Sequence, residues 1–240
     1  LANAFALYVG RFWAPATEGS GRLLVVTLLL GGLAAINLAG VRYGSLAINF
    51  FTISKLAPLA LFLGVGIFFI EPGNFEGMFD LSGGTGTFGA AVLMLMFTFG
   101  GYELITIPAS EARSPRRDAP RALLLTIGVV FVIYFLVQLV AVGTLPALDT
   151  SPTPLADAAE AFGGSAFGIL IAIGGLLSIA GSNAGSMLAG PRLTFALGDR
   201  GQLPRFFAHV HGRYRTPDVS ILIYLGVAVA LAYSGTFVQL

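Results

Sequence analysis

The sequence predicts an all-α integral membrane protein. Of its 240 residues, 56% are hydrophobic and only 10% are charged, and the mean hydropathy is +0.86. A soluble domain contains closer to about 25% charged residues. The charges are also segregated, which leaves several apolar runs near the ~20 residues that a helix needs to cross a bilayer. No polar segment is long enough to form a second domain, so residues 1–240 are predicted to be a single transmembrane domain.

Seven membrane-spanning segments are predicted from the apolar runs. In chain order they lie at about 1–13, 23–39, 46–70, 88–109, 122–145, 165–190 and 219–238. The first segment looks like the end of a span, and the last residues stop just as another span ends. The chain is therefore expected to be a piece of a longer protein, incomplete at both ends.

The connections between these spans are predicted from turn and cap signals. Ile36–Gly44 is expected to form a tight turn. Asp118, with a proline two residues later, is expected to cap and start the span at 122–145, because acids and prolines are favoured at helix starts. Two longer segments are assigned to loops, an acidic one at 146–164 and a basic one at 191–217.

The loop charges alternate along the chain and give an orientation. One set of loops holds ten of the 13 Lys and Arg residues, namely Arg42, Arg113, Arg116, Arg117, Arg121, Arg192, Arg200, Arg205, Arg213 and Arg215. The other set holds Arg11 and Arg22 with most of the acidic residues. Basic loops face the cytoplasm, and this assignment lets every span cross in the correct direction. A multi-pass protein of the cytoplasmic membrane is predicted.

The span at 88–109 is predicted to be discontinuous. Its middle reads Phe-Thr-Phe-Gly-Gly-Tyr-Glu from Phe97 to Glu103, and a glycine pair weakens a helix interior. Broken backbone is tolerated in a membrane only where it faces protein or a watery cavity, and interrupted helices are where transporters bind substrate. The alternative is a glycine kink for helix packing, with the Glu103 carboxylate held by a neighbour.

Such a break offers two kinds of polar backbone. The outer half-helix would end near Phe99 and expose carbonyls, whereas the inner half would begin near Tyr102 and expose amide donors. The break could therefore hold an ammonium on one side and an anion on the other. Phe97, Phe99 and Tyr102 could wall a pocket by apolar and cation–π contacts, or they could face lipid or the protein core.

Lys55 is the only lysine in the chain, and it lies inside the predicted span at 46–70. Its ammonium could reach the membrane interface through the long side chain. Alternatively, it faces a cavity, where it binds and releases a proton or stands in for a bound sodium ion. These residues alone leave both alternatives open.

The span at 165–190 is rich in small and polar residues. Ser178, Ser182, Asn183 and Ser186 recur every three or four residues among several glycines. Such residues let membrane helices pack closely and form hydrogen bonds, which is the role expected for most of them. One or two could line a site near Lys55.

Signals for catalysis, metal binding and nucleic-acid binding are not found in the sequence. It has no cysteine, no paired carboxylates on one span, no histidine motif of the metal-binding type and no basic stripe. His209 and His211 have no carboxylate at ligand spacing and are expected to be solvated. An intramembrane enzyme would need a nucleophile–base pair or metal ligands in the spans, where only Glu103 and Lys55 are charged. We predict no enzyme activity, cofactor, metal or nucleic-acid partner, and the oligomeric state stays open.

Four parts of the chain together resemble the amino acid–polyamine–organocation permeases. They are FTFGGYE at 97–103 with EARSPRRDAPR at 111–121, PRLTFALGDRGQLP at 191–204 with HGRYRTP at 211–217, INLAGVR at 36–42 followed by Lys55, and PLAD at 154–157. They follow the order of that family over nearly the whole chain. The spans would then run from the end of the family's helix three to helix nine.

The resemblance implies a partial LeuT-like fold, without helices one, two and ten, and an amino acid bound at the break. The implied substrate-binding residues are Phe97, Thr98, Phe99, Gly100, Gly101, Tyr102 and Glu103. The carbonyls of the first three would hold the substrate ammonium, and the other four would supply gating and side-chain contacts. Lys55 matches a helix-five lysine at a sodium position in proton-coupled members, and Ser182 is a looser match to the helix-eight side of that site.

We therefore predict a fragment of an amino acid permease that works by alternating access with a proton as the coupling ion. An amino acid or amine exchanger without ion coupling is the alternative within this class. A membrane receptor or sensor is a more distant alternative. The implied partners are the amino acid substrate, the proton and the lipid bilayer.

Overall fold

The computed structural model describes residues 1–76, 84–101, 114–146 and 148–234, which contain α-helices and short 3-10 turns and no β-strand. The predicted all-α class is confirmed. The helices of these ranges are α1 (Ala2–Gly10), α2 (Gly19–Ala39), α3 (Val41–Gly66), α4 (Gly84–Thr98), α5 (Pro115–Thr144), α6 (Pro154–Gly163), α7 (Ser165–Asp199) and α8 (Asp218–Ser234).

Four of the described helices, α2, α3, α5 and α7, are long and apolar enough to cross a bilayer. Helix α8 is apolar but shorter, with 17 residues. Large apolar side chains are exposed along α3 and α5, such as those of Phe50, Ile53, Leu124 and Phe131. Exposed faces of this kind suit contact with lipid or with further helices. The chain is a multi-pass membrane protein, and its division into seven spans stays a prediction.

The chain divides into two compact units, which are described separately. Unit 1 consists of Leu1–Phe62 and Asp149–Leu240, and unit 2 consists of Leu63–Leu148. The single transmembrane domain predicted for the whole chain stays a prediction.

Helix α2 organises the core of unit 1. It packs against α1, α7 and α8. Its buried apolar residues are spaced by one, three or four positions, as expected for one helix face, and they are Val25, Val26, Leu30, Leu33 and Ala34. Met187 of α7 and Ile221 of α8 complete this core.

In unit 2, one carbonyl of α5 fixes the segment that follows α3. The carbonyl of Gly143 accepts the backbone N–H of Glu71 at 2.9 Å and the side-chain amide of Asn74 at 2.8 Å. A Cβ atom on Gly143 would lie 2.8 Å from the Ile70 side chain. The absence of a side chain at Gly143 therefore allows this close approach.

Glycines on α7 likewise let neighbouring helices approach closely. A Cβ atom on Gly174 would lie 2.6 Å from Pro58 of α3, and one on Gly190 would lie 2.3 Å from the ring of Tyr224 of α8. The predicted packing role of the small residues is confirmed at these positions. Gly185 of the same helix differs, because a Cβ atom there would meet nothing within 4 Å.

Gly174→Ala is expected to destabilise the fold by about 1–3 kcal/mol, the usual effect of overpacking. The rigid Pro58 ring cannot turn away from the added methyl group, so α3 or α7 must shift. Gly185→Ala is the matched control, and it should be neutral or stabilising by up to about 1 kcal/mol because alanine favours helix more than glycine does. Melting temperatures of the two purified variants check this prediction, and equal values would contradict it.

The tight turn predicted at Ile36–Gly44 is present, but it is shorter than that range. Helix α2 continues to Ala39 and α3 begins at Val41, so Gly40 alone connects them. Gly40 has a φ of +140°, which glycine adopts readily because it lacks a Cβ atom.

The predicted start of the helix after the break is wrong. Helix α5 begins at Pro115, with Ser114 at the N-cap position, and Asp118 lies in its first turn. Proline suits the first helical position because its missing N–H would have no intrahelical partner there. The Asp118 carboxylate then interacts favourably with the helix dipole.

Two segments that the sequence predicts to be loops contain helix. The acidic segment includes α6, which begins at Pro154 and ends before Gly164, whose φ is +77°. The basic segment begins inside α7, which continues through Pro191 to Asp199. Side chains donate to carbonyls near this proline, from Arg192 to Leu188 at 2.7 Å and from Thr194 to Pro191 at 3.0 Å.

Candidate functional site

A cavity of about 220 Å³ in unit 1 borders Lys55. It lies between α1, α3 and α7, with one side chain from α6. Its lining consists of Tyr8, Lys55, Pro58, Leu59, Phe62, Leu155, Ile171, Gly174, Gly175, Ser178 and Ile179. Among these lining residues, Lys55 is the one basic residue, and Tyr8 and Ser178 contribute the other polar side chains.

The glycine pair of α7 forms one wall of this cavity. A Cβ atom on Gly175 would lie 2.6 Å from the Tyr8 ring, and one on Gly174 would meet Pro58. The backbone of α7 therefore packs directly against α1 and α3. With these two glycines in its wall, the cavity is lined by both Tyr8 and Lys55.

Lys55 is half-buried at this cavity. Within the described ranges its ammonium has no hydrogen bond or ion pair. A charged group in a mainly apolar wall is unfavourable unless it is paired or hydrated. The structure thus places Lys55 at a cavity, as required if it binds and releases a proton there. Its role in proton coupling stays a prediction.

The neighbouring serines of α7 have different surroundings. Ser178 lines the Lys55 cavity, which confirms that one of the small polar residues lines a site near Lys55. Ser182 is exposed, does not line the cavity, and donates its hydroxyl to the Ser178 carbonyl at 3.2 Å. Its predicted role in coupling stays a prediction.

The first half of the predicted break is visible in unit 2. Helix α4 ends at Thr98, and residues 99–101 form a turn in which Gly101 has a φ of +102°. The Thr98 hydroxyl donates to the Met94 carbonyl at 2.8 Å, and the Phe99 N–H donates to the Leu95 carbonyl at 3.0 Å. The α4 carbonyl end, which carries partial negative charge, therefore meets a glycine turn.

A small cavity adjoins this turn. It has a volume of about 130 Å³ and is lined by Thr98, Phe99, Gly100, Thr126, Ile127, Val130 and Tyr134. The rings of Phe99 and Tyr134 lie 5.4 Å apart, so Phe99 packs against α5. Phe97 lies in the last turn of α4, whereas Tyr102 and Glu103 lie outside the described residues.

The predicted site residues thus belong to two separate units. Lys55 and Ser182 are in unit 1, and residues 97–101 are in unit 2. Within unit 1 the structure joins Lys55 with Tyr8 and Ser178 at one cavity.

An ion-pair cluster in unit 1 was not predicted from the sequence. The Arg11 guanidinium, just after α1, pairs with the carboxylates of Asp157 and Glu160 of α6. It also donates to the Thr153 hydroxyl at 3.2 Å, and Ser151 donates its hydroxyl to Asp157. The cluster therefore fastens the end of α1 to the helix that precedes α7.

A signal for this cluster is present in the sequence. Asp157 and Glu160 are three residues apart, which places them on one face of a helix. Arg11 belongs to the same predicted set of loops. The two acids share a face only because residues 154–163 are helical. A loop prediction for 146–164 therefore does not place them together.

Asp157 has a lowered pKa in this cluster. Burial alone would raise the pKa of its carboxyl, but hydrogen bonds from Ser151, Arg11 and Thr153 and the charge of Arg11 lower it below the ordinary value. The folded protein therefore favours the ionised form.

The stabilisation by Asp157 is expected to disappear at acidic pH. A carboxyl whose folded pKa is depressed stabilises the fold fully above its unfolded pKa, here 3.8, and loses that effect as the pH falls through the folded pKa. The difference in melting temperature between wild type and Asp157→Asn should thus be largest at neutral pH and shrink below the unfolded pKa. Glu18→Gln, at an exposed acid, is the control, and parallel pH curves for wild type and Asp157→Asn would contradict the prediction.

The expectation that His209 has no carboxylate nearby is wrong. Its Nδ1 lies 2.6 Å from Asp218 Oδ1, and the same oxygen accepts the Val219 N–H at 2.9 Å. The fold brings together two residues nine positions apart, at the start of α8. His209 is therefore part of the cap of that helix.

Comparison with known proteins identifies the family. A sequence model described as amino acid permease matches residues 1–238. The chain belongs to the amino acid permease family. The resemblance to amino acid–polyamine–organocation permeases, which was drawn from four short parts of the sequence, is confirmed.

Several curated relatives of this permease chain are named as transporters or exchangers. The serine/threonine exchanger SteT of Bacillus subtilis is 30% identical over 242 residues, covering 95% of this chain and 54% of SteT. The cationic amino acid transporter 4, vacuolar, of Arabidopsis thaliana is 27% identical over 224 residues, covering 91% and 36%. The methylthioribose transporter of Bacillus subtilis is 28% identical over 194 residues, covering 80% and 41%. The chain spans about half, or less, of the length of these relatives.

Proposed function

We propose that the full-length protein is a secondary transporter of amino acids in the cytoplasmic membrane, and that it works by alternating access in a LeuT-like fold. Protons would drive the transport, with Lys55 as the group that binds and releases them. Family membership supports the substrate class. The proposed coupling rests on the cavity around Lys55.

That cavity is the observation that carries the proposal. Its wall brings together side chains from α1, α3, α6 and α7, so adding or removing a charge at Lys55 acts on four helices at once. A lysine can lose its proton, unlike an arginine. Protonation of Lys55 would thereby be linked to the packing of these helices.

The break after α4 is the proposed substrate site. An amino acid carries an ammonium group, and the carbonyl end of a helix attracts a cation. Phe97, Thr98 and Phe99 would hold the ammonium by their carbonyls, as transporter sites do at interrupted helices. Gly100 and Gly101 keep side chains away from this backbone, while Tyr102 and Glu103 would contact the substrate.

Exchange without ion coupling is the second candidate function. The name of SteT describes it as an exchanger, and this relative covers 95% of the chain. An exchanger of this kind would use the same break for the substrate. Lys55 would then serve packing or charge balance in its cavity.

Uptake by the full-length protein in proteoliposomes tests the proposal. Labelled serine, threonine, lysine and arginine would be offered, together with methylthioribose because one relative bears that name. Each would be measured under an inward proton gradient, without a gradient, and with unlabelled substrate inside. Protein-free liposomes are the control.

The proposed function predicts accumulation of at least one amino acid under the proton gradient alone. Uptake that requires internal substrate and ignores the gradient would favour exchange. Transport of methylthioribose without any amino acid would overturn the proposed substrate class.

A further inference from the structure

A surface of arginine and tyrosine side chains lies at one end of α2. We call it the Arg–Tyr surface, and it consists of Arg42, Tyr43, Arg213, Tyr214 and Arg215. All five side chains are exposed. The first two begin α3, and the other three belong to the loop before α8.

The loop is closed by its own hydrogen bonds. The His211 N–H donates to the Thr216 carbonyl at 2.8 Å, and the Arg215 N–H donates to the His211 carbonyl at 2.9 Å. His211 Nδ1 accepts the backbone N–H groups of Arg213 and Tyr214 at 3.3 and 3.2 Å. These bonds satisfy backbone donors internally and leave the side chains of residues 213–215 pointing outward.

Arg215 has an unusual backbone conformation for this loop. Its φ is +51°, and among the described residues it alone combines a positive φ with a side chain. A residue other than glycine adopts this region only at an energetic cost, and surrounding bonds must hold it there. The hydrogen bond from the Arg215 N–H to the His211 carbonyl helps to hold this conformation.

One part of the surface is attached to the last turn of α2 and the other to Gly40, the residue that follows this helix. The buried Thr216 donates its hydroxyl to the Leu38 carbonyl at 3.1 Å. On the other side, the Tyr43 N–H donates to the Gly40 carbonyl at 3.1 Å. The loop and the start of α3 therefore lie at the same end of one helix.

This end of α2 corresponds to a membrane boundary. A helix of 21 residues is about 31 Å long, which matches the ~30 Å thickness of the hydrocarbon core. Its last residues thus lie at headgroup depth. Tyrosine is enriched at that depth, where its ring meets apolar chains and its hydroxyl meets water.

The arginines of the surface are available to an anionic ligand. Within the described ranges none of the three forms an ion pair, and the guanidinium of Arg213 lies 5.5 Å from the centre of the Tyr214 ring. Asp218, the next acid in the chain, is already bound by His209 and the Val219 N–H. No carboxylate therefore neutralises the surface in the described structure.

We propose that the Arg–Tyr surface binds the phosphate headgroups of anionic phospholipids. Arginine matches phosphate geometry with two parallel hydrogen bonds, and basic residues next to a membrane helix are attracted to anionic lipid. The tyrosine rings would then contact the interfacial region of the bilayer, where tyrosine is enriched. Lipid binding at this surface would hold α2, α3 and the loop before α8 together.

Native mass spectrometry of the full-length protein in detergent tests this proposal. The protein is titrated with phosphatidylglycerol or with phosphatidylcholine of the same acyl chains, and bound lipids are counted. Wild type should prefer phosphatidylglycerol. The variant Arg42→Gln/Arg213→Gln/Arg215→Gln should lose this preference by about tenfold or more. The variant Arg116→Gln/Arg117→Gln/Arg121→Gln, with the same charge change on the same predicted side, should keep it.

Arg215→Gly is a second variant that tests the proposal even if the triple variant misfolds. Glycine adopts a positive φ without strain, so this change removes one charge while preserving the loop. It should weaken phosphatidylglycerol binding and leave the melting temperature in phosphatidylcholine unchanged or higher. Equal binding of both lipids by wild type, unchanged binding by Arg215→Gly, or equal losses in both triple variants would overturn the proposal. Equal binding of both lipids by wild type would instead favour an acidic protein as the partner of this surface.

Discussion

Lys55→Ala is expected to abolish accumulation driven by a proton gradient. Without a basic group in the cavity between α1, α3 and α7, protonation at position 55 no longer acts on the packing of these helices. The initial rate of uptake under an inward proton gradient should fall to the rate measured without a gradient. Uptake against preloaded substrate should persist, because the break after α4 is unchanged.

Lys55→Arg separates proton release from charge and length. Arginine keeps the positive charge but does not deprotonate in proteins. If Lys55 is the proton-binding group, Lys55→Arg should be uncoupled like Lys55→Ala. If Lys55 only extends to the membrane interface, arginine should replace it without loss, because both side chains can reach that interface. Normal gradient-driven accumulation by either variant would contradict the proposed role.

Arg11→Gln is expected to destabilise the folded protein markedly. It leaves the carboxylates of Asp157 and Glu160 on one helix face without their shared partner. Their side chains are 31% and 44% exposed. The free energy of unfolding should therefore fall by about 1–3 kcal/mol, between the effects of losing a surface ion pair and a buried one. The melting temperature of the purified protein should fall accordingly.

Two further variants establish that the ion pairs cause this loss. Arg205→Gln removes an exposed arginine that has no ion pair within the described ranges and should change the melting temperature little. Adding Asp157→Asn and Glu160→Gln to Arg11→Gln removes the unpaired charges and should restore part of the stability. Failure of the added changes to restore any stability would argue against an electrostatic origin.

The sequence predicts those features that depend on composition and spacing. Segregated apolar runs are sufficient for the all-α membrane class, because a bilayer requires about 20 apolar residues for each helix. Lys55 is identifiable because a lone lysine in an apolar span is costly without a function. That Lys55 and Ser178 line the same cavity agrees with the small residues of α7, which allow helices to pack closely.

Features that depend on contacts distant in sequence are harder to predict. Arg11 and Asp157 meet only because α1 and α6 pack against the same helix, α7. Helix α7 passes Pro191 although proline lacks the donor of a normal helical bond. Small neighbours such as Gly190, against which Tyr224 packs, and side-chain donors to nearby carbonyls accompany the proline there.

Direct recording of proton movement tests the central claim most directly. Full-length protein would be reconstituted with a pH-sensitive dye inside the vesicles, and a transported amino acid would be added outside without an imposed gradient. Proton coupling through Lys55 predicts that the interior acidifies on addition of amino acid in wild type and not in Lys55→Ala or Lys55→Arg. Amino acid entry with no change of internal pH in wild type would contradict it.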